Sequence, residues 1–182
     1  TLLQTDPDAL DECCLLIVGN PEALEVGTRG TTQDVDLNRS FADNVVVSGE
    51  YERERAALLK RVLSPVTRLL DLHQTHCKTP PLSVVKYDTA HLSETARLGL
   101  AFAVVGVEKI YSGAMLSDWI DRNGGLGITV ETGMADTQEA YEVGVAVARR
   151  FLNLSTVAPQ AIVQVFDVDH VIRAPFSDGI WK

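Results

Sequence analysis

The stretch LGITVE, residues 126–131, decides the fold. It is a short apolar and β-branched run that follows Gly124-Gly125 and ends on Glu131, a pattern typical of a buried strand. Residues 137–152 then place apolar side chains on one face at helical spacing, so a helix should follow the strand. A strand followed by a helix indicates an α/β protein.

The same alternation extends toward the N-terminus. Apolar runs bounded by turn residues predict strands, and stretches of helical period predict helices, so we expect a sheet with helices between its strands. The predicted strands are residues 13–18, 69–72 and 82–87, and the predicted helices are residues 50–62 and residues 94–107, the second capped by Ser93.

The length of the chain suggests one main domain with an addition. A chain of 182 residues suits a single domain with a substantial core, which we place at residues 1–155. The run AIVQVFDVDHVIRA, within residues 156–182, is rich in β-branched residues and predicts one long bent strand or a hairpin. It would be the start of a β-rich C-terminal unit.

Composition excludes several classes of partner. The 25 acidic and 16 basic residues give a net charge of −9, which argues against nucleic acid or an anionic membrane as the main partner. No apolar run approaches the ~20 residues of a membrane span. Three cysteines, Cys13, Cys14 and Cys77, are an odd number and include two neighbours, so a disulfide framework is not expected. A reducing, cytoplasmic setting fits better.

A carboxylate-binding site is predicted from Arg29 and the pair Asn38-Arg39. A guanidinium holds a carboxylate through two parallel hydrogen bonds, and a neighbouring amide can fix the same group. A second guanidinium nearby would polarise a scissile carbonyl and stabilise the developing oxyanion. The alternative is that Arg29 and Arg39 form surface salt bridges with Asp34 and Asp36.

A metal ligand is predicted at His73, which follows a predicted strand and lies two residues after Asp71. Neutral imidazole is a common ligand of Zn²⁺, and a nearby carboxylate can orient its second nitrogen. A lone histidine at a strand end is also often structural. His76 could be a second ligand only if the segment turned. The pair His91 and Glu94 has the spacing of a metal-binding motif, but we interpret it as the start of a helix.

Glu131 is the candidate catalytic base. Because it ends an apolar strand and precedes Thr132-Gly133, it should project into a cleft. A carboxylate in that position, beside a metal-bound water, suits a general base that later protonates a leaving amine. The alternative is that Glu131 caps the next helix.

The sequence around these candidate residues resembles the aspartoacylase and succinylglutamate desuccinylase family, relatives of the zinc carboxypeptidases. The resemblance implies a mixed central sheet flanked by helices, zinc-carboxypeptidase-like, with the start of a β-rich C-terminal unit. It also implies a zinc-dependent amidohydrolase that removes an acyl group from an N-acyl amino acid or a similar carboxylate-bearing amide. In the family's order, the matching fragments are GNPEAL (residues 19–24), Arg29, DLNRSF (residues 36–41), DLHQT (residues 71–75) and GITVETG (residues 127–133).

The resemblance implies a role for each candidate residue. His73 resembles the third zinc ligand, Glu131 the catalytic base, and Arg29 the residue that polarises the carbonyl. Asn38 and Arg39 resemble the clamp on the α-carboxylate of the substrate. The implied cofactor is one zinc ion, and the implied partner is a small acyl amino acid. Formation of a homo-oligomer is left open.

Two departures from the family's pattern bear on these expectations. The family draws its first two zinc ligands from a His-Gly-x-Glu type motif upstream of the Asn-Pro segment, and we expect that motif upstream of Thr1. Without it, the alternative is a metal-free carboxylate-binding or scaffold domain. Aspartoacylases also have a basic and a phenolic residue that read the aspartate side chain. Residues 117–123 give no clean match to that pair, and Arg122 is the nearest candidate.

Overall fold

A single mixed sheet organises the protein. The computed structural model describes residues 14–32, 35–42, 49–154 and 163–168. Within these residues the sheet has the order β1-β4-β2-β3-β5, with β2 antiparallel to β4 and the other neighbouring pairs parallel. Its strands are β1 (Arg68–Thr75), β2 (Leu82–Val84), β3 (Phe102–Val105), β4 (Leu126–Met134) and β5 (Gln164–Asp167).

Helices pack on both faces of this sheet, so the predicted mixed sheet flanked by helices is confirmed. One apolar cluster, which includes Ile128, Val130 and Val147, joins the sheet to α6. None of the helices in the described part of the chain is both long enough and apolar enough to cross a membrane. The helices are α1 (Pro21–Val26), α2 (Glu50–Leu63), α3 (Thr89–Arg97), α4 (Val107–Ile110), α5 (Leu116–Arg122) and α6 (Gln138–Phe151), with a 3₁₀ turn at Leu37–Arg39.

The side chains of β4 alternate between the two faces of the sheet, and this alternation decides which of them face α5. Thr129 Oγ1 donates to Ser117 Oγ of α5 at 3.0 Å, so the odd-numbered residues of β4 face α5. Gly127 lies on the same side, where a Cβ atom would stand 2.4 Å from the Ser117 carbonyl oxygen. Glu131 therefore points toward α5 and the 3₁₀ turn. That side also holds the second apolar cluster, formed by Leu37, Phe41, Ala56, Leu59, Leu63 and Ile120.

Elements with a strong periodic or β-branched signal match their predictions. The predicted helix over residues 50–62 is α2, and the one over residues 137–152 is α6. Thr137 caps α6, because its Oγ1 accepts the Ala140 N–H at 3.2 Å. The predicted strands over residues 82–87 and 126–131 are β2, which is shorter, and β4, which is longer.

The predicted helix over residues 94–107 is wrong for most of its length, because only its first four residues belong to α3. α3 is capped by Asp88, whose Oδ1 accepts the His91 N–H at 3.0 Å, and it ends at Arg97. The left-handed φ of 78° at Gly99 then turns the chain into β3. Residues 102–105 form a strand because β2 and β5 provide hydrogen-bonding partners on both sides, and local periodicity does not reveal distant partners.

The predicted strand over residues 13–18 is also wrong in its described part, residues 14–18, which form no strand. The carbonyl oxygens of Val18 and Gly19 accept hydrogen bonds from Arg55 of α2 at 2.6 Å and 2.7 Å. The Arg55 side chain of α2 therefore holds the end of this segment, and no neighbouring strand in the described part of the chain does so.

The C-terminal run contributes to the same sheet in its described part. Residues 163–168 contain β5, which pairs in parallel with β3. The remainder of residues 156–182 lies outside the described residues. The division into a main domain at residues 1–155 and a β-rich C-terminal unit therefore stays a prediction.

Candidate active site

His73 and Glu131 are register partners on the neighbouring parallel strands β1 and β4. Side chains of paired residues project to the same side of a sheet, so the imidazole and the carboxylate both face the 3₁₀ turn. β1 continues to Thr75, so His73 lies within the strand and not at its end as predicted. The pairing becomes irregular between His73 and Thr75, and such irregularities are common next to active sites.

Glu131 has an unusual environment. Its Oε2 atom is buried and has no hydrogen-bond partner within the described residues. A buried polar oxygen without a partner costs about 1–3 kcal/mol, so a carboxylate in this state within β4 requires an explanation such as a catalytic role. The alternative role as a cap of the next helix is wrong, because Thr137 caps α6.

His73 is surrounded by acidic groups. Its Nε2 lies 3.0 Å from Asp71 Oδ2, and Asn38 Nδ2 lies 3.3 Å from the same imidazole nitrogen. Burial by itself would lower the pKa of His73, but the charge and hydrogen bond of Asp71 and the charge of Glu131 raise it above its usual value. The neighbouring negative charges therefore favour the protonated, positively charged form of the imidazole.

Asn38 connects the 3₁₀ turn, β1 and α5. Its Oδ1 accepts the Leu116 N–H at 2.7 Å, and its Nδ2 donates to Asp71 Oδ2 at 3.4 Å. The side chain of Asp36 starts the turn, because its Oδ1 accepts the Asn38 N–H at 2.8 Å. The buried Asn38 amide thus holds the Asp71–His73 pair against the start of α5. Its contact with a substrate stays a prediction.

Two guanidiniums converge on Asp36. Arg29 Nη2 and Nε donate to Asp36 Oδ2 at 2.8 Å and 3.2 Å, and Arg39 Nη2 lies 3.7 Å from the same oxygen. Burial raises the pKa of Asp36, but the hydrogen bond and charge of Arg29 lower it below its usual range. The predicted salt bridges to Asp36 are therefore present, and Asp34 lies outside the described residues. The Arg29 side chain remains 50% exposed.

Arg39 also packs on an aromatic ring that the sequence did not indicate. Its guanidinium carbon lies 3.6 Å from the centroid of the Tyr111 ring, a cation–π geometry. Its Nη1 donates to the Asn38 carbonyl oxygen at 2.8 Å. Arg39 is therefore oriented by an aromatic face, a carboxylate and a backbone oxygen.

The other histidines considered as metal ligands have different positions. His76 is exposed after β1. His91 is buried in α3, with Nδ1 2.8 Å from Asp88 and Nε2 3.0 Å from Asp121. Glu94 lies in the middle of the same helix, and not in its first turn as interpreted, and it pairs with Arg68. Among the described residues, no group of three or more His, Cys, Asp or Glu side chains is arranged to hold a metal ion.

Arg122, the candidate for reading a substrate side chain, bonds to backbone instead. Its Nη1 donates to the Gly113 carbonyl oxygen at 2.6 Å, and its Nη2 donates to the Phe41 carbonyl oxygen at 3.1 Å. These bonds fix the chain after the 3₁₀ turn against the end of α5.

A cavity of about 540 Å³ lies beside the C-terminal end of β4. It is lined by residues 78–81, residues 132–134 and the start of α6, and by none of the predicted site residues. Thr132 points to the opposite face of β4 from Glu131. The partly buried cluster around His73, and not this cavity, is therefore the candidate active site.

Comparison with known families gives one match. The model of the succinylglutamate desuccinylase/aspartoacylase catalytic domain matches residues 2–154. The chain belongs to this family. Within the succinylglutamate desuccinylase/aspartoacylase family, the match extends from the segment before α1 through α6. No curated protein sequence matches the chain.

Solved structures share the fold, so the predicted zinc-carboxypeptidase-like class is confirmed. Succinylglutamate desuccinylase from Vibrio parahaemolyticus has a TM-score of 0.66 at 16% identity, with 91% of this chain and 54% of that chain covered. Succinylglutamate desuccinylase/aspartoacylase from Rhodobacter sphaeroides has a TM-score of 0.61 at 17% identity, with coverage of 84% and 50%. Murine aminoacylase 3 has a TM-score of 0.56 at 19% identity, with coverage of 84% and 57%. The chain thus spans about half the length of these structures.

Proposed function

We propose that the protein is a zinc-dependent deacylase that hydrolyses the amide bond of an N-acyl amino acid or a similar carboxylate-bearing amide. The observation that supports this most directly is Glu131, whose buried Oε2 has no partner among the described residues and which lies beside His73. Membership of the family supports the reaction class. The guanidiniums of Arg29 and Arg39 provide local positive charge for an anionic substrate in a chain of net charge −9.

Glu131 acts as the general base and then as the general acid. Its carboxylate accepts a proton from the attacking water as the water oxygen bonds to the amide carbon. The resulting tetrahedral intermediate collapses when the same carboxyl group returns the proton to the amine nitrogen and the C–N bond breaks. The products are a carboxylic acid and an amine, which become a carboxylate and an ammonium group by proton transfer, and Glu131 is again a carboxylate.

The two guanidiniums bind the charged parts of the substrate. Arg29 stabilises the oxyanion that develops on the amide carbonyl, and Arg39 with Asn38 binds the α-carboxylate. A guanidinium has five N–H donors, so the bonds to Asp36 leave donors for the substrate. Asp36 and Tyr111 orient these donors before the substrate arrives.

His73 is the candidate zinc ligand. An imidazole with neighbouring carboxylates suits zinc, although a catalytic zinc has three protein ligands. Since the described residues contain no group of three suitable side chains, the other ligands would come from outside them. When bound, zinc would polarise the carbonyl and lower the pKa of its bound water.

A second candidate is a metal-free carboxylate-binding or scaffold domain. The observation in its favour is that the described residues provide two guanidiniums, held by Asp36, but no group of three metal ligands around the predicted ligand His73. It predicts that N-acyl amino acids bind to the protein without release of an amine.

The test is amine release by the full-length protein from a panel of N-acyl amino acids, together with metal analysis of the same preparation. We expect about one zinc ion per chain, hydrolysis that a chelator abolishes, and recovery when zinc is restored. Matched amides without a free carboxylate are the control and should be poor substrates. Binding without amine release, in a preparation free of zinc, would support the second candidate and overturn the first.

A further inference from the structure

Glu52 is a buried carboxylate outside the predicted site. We propose that it is a positioning residue that fixes the loop bearing Arg29, an inference that rests on the deacylase function proposed above. Glu52 lies on α2 and is 0% exposed. A carboxylate in such a position is costly unless it is hydrogen-bonded, so its partners indicate its role.

The hydrogen bonds of Glu52 lead to the segment around Arg29. Its Oε1 accepts the Thr31 N–H at 2.8 Å and the Thr31 hydroxyl at 2.9 Å. The same oxygen accepts from Asn20 Nδ2 at 3.4 Å. Burial raises the pKa of Glu52, but the hydrogen bonds from Thr31 lower it below its usual value, so the group is a carboxylate. A charged acceptor thus anchors the backbone two residues after Arg29.

The loop that carries Arg29 has little freedom to absorb a shift at Thr31. The Thr28 N–H donates to the Ala23 carbonyl oxygen at 2.9 Å, and the Thr28 hydroxyl donates to the Gly30 carbonyl oxygen at 2.8 Å. A Cβ atom at Gly30 would lie 2.0 Å from the Val35 carbonyl oxygen. Because the backbone is held this closely on both sides, loss of the anchor at Thr31 should displace Arg29.

A displaced Arg29 should affect turnover more than substrate binding. Its predicted partner is the carbonyl oxygen, whose negative charge develops only in the transition state. Arg39, which is predicted to bind the substrate carboxylate, is held separately by Tyr111. Misplacement of a catalytic donor by about 1 Å can cost about 100-fold in rate. Loss of the Glu52 anchor should therefore lower kcat and leave KM almost unchanged.

Four variants of the full-length protein test the anchor. Thr31→Val removes the hydroxyl at nearly constant volume, and Glu52→Leu removes the acceptor. We expect both to lower kcat by about 10- to 100-fold, with KM within about threefold of wild type. Thr31→Ser keeps the hydroxyl and Glu52→Gln keeps one acceptor oxygen, so both should retain most of the turnover. If Glu52→Leu does not fold, Thr31→Val still tests the hydroxyl part of the anchor, although the Thr31 N–H bond to Glu52 remains in that variant.

A double-mutant cycle with Arg29→Ala separates positioning from general stability. Each variant is measured in both backgrounds under single-turnover conditions. If Glu52 acts through Arg29, Thr31→Val and Glu52→Leu have no further effect once Arg29 is removed. Arg55→Met is the control, because it removes other bonds between α2 and the N-terminal segment, and it should change kcat by less than about threefold.

The outcomes that overturn the inference are distinct from failure of the proposed function. Equal rate losses in the presence and absence of Arg29, or a loss with Arg55→Met as large as with Thr31→Val, would mean that Glu52 only supports the fold. Absence of amine release by the wild-type protein would overturn the proposed function and this inference together.

Discussion

His73 and Glu131 stand side by side in the sheet as register partners on β1 and β4, although they come from distant parts of the sequence. Parallel pairing puts their side chains on one face, beside Asn38 and Asp71. A general base has to lie near the water that it deprotonates. If His73 were a metal ligand, a water bound to that metal would lie near Glu131.

Glu131→Gln should abolish most turnover. The amide has nearly the same shape but cannot accept and return the proton, so kcat should fall by about 10²- to 10⁴-fold. Binding of an N-acyl amino acid, measured by calorimetry, should stay within a few-fold of wild type. Glu139→Gln, at an exposed position of α6, is the matched control and should be fully active. Near-normal activity of Glu131→Gln would discard the proposed mechanism.

Asn38→Ala should destabilise the protein as well as impair it. The change leaves the Leu116 N–H without its present partner and removes one of the two contacts of Asp71 Oδ2, which should lower the free energy of unfolding by about 1–3 kcal/mol. Urea denaturation measures this change. Asn123→Ala, at an exposed position, is the control and should change stability by less than about 0.5 kcal/mol. Equal stability of the two variants would contradict the structural role of Asn38.

Tyr111→Ala should weaken substrate binding. The ring orients the Arg39 guanidinium, and a cation–π contact is worth about 0.5–2 kcal/mol, so KM should rise by about 2- to 30-fold. Tyr111→Phe retains the ring face and should behave almost like wild type. The exposed Tyr87 provides a matched control through Tyr87→Ala. If Tyr111→Phe lost as much affinity as Tyr111→Ala, the phenol hydroxyl and not the ring face would be responsible.

His91 should make stability depend on pH. The hydrogen bond to Asp121 raises the pKa of His91, burial opposes this, and Asp88 adds to the increase, so the net pKa lies above its usual value. The folded protein therefore holds this proton more tightly than the unfolded chain. The resulting stabilisation is fully present below about pH 6.5 and is lost as the pH rises through the raised pKa.

The measurement is the free energy of unfolding of wild type minus that of His91→Gln across this pH range. We expect the difference to be largest at mildly acidic pH and to decrease as the solution becomes alkaline. A difference that is constant or grows with pH would show that the imidazole is not a stabilising cation between Asp88 and Asp121.

Sequence patterns were sufficient for some elements and misleading for others. The helical period of α6 and the β-branched run of β4 were sufficient because each depends on neighbouring residues. Residues 94–107 contain enough apolar residues to resemble a helix, yet residues 102–105 form β3 because β2 and β5 pair with them. A sequence window contains no information about partners that lie outside it.

The candidate site was also only partly visible in the sequence. Residue types and the family resemblance indicated His73, Glu131, Arg29, Asn38 and Arg39, whose roles toward a substrate stay predictions. Two supporting residues, Glu52 and Tyr111, gave no signal. Glu52 lies within the charged stretch EYERER, which resembles the solvated face of a helix, although the side chain is completely buried.

By itself, the sequence determined the family, the fold class and the position of α6, whose apolar residues recur three or four positions apart in the chain. Only the tertiary structure decided that His73 is the neighbour of Glu131, that Asn38 joins Asp71 to the start of α5, and that Glu52 anchors Thr31. The physical reason is the range of the interactions. Caps and helical periods depend on adjacent residues, whereas strand register and buried hydrogen bonds form between distant segments and exist only once the chain has packed.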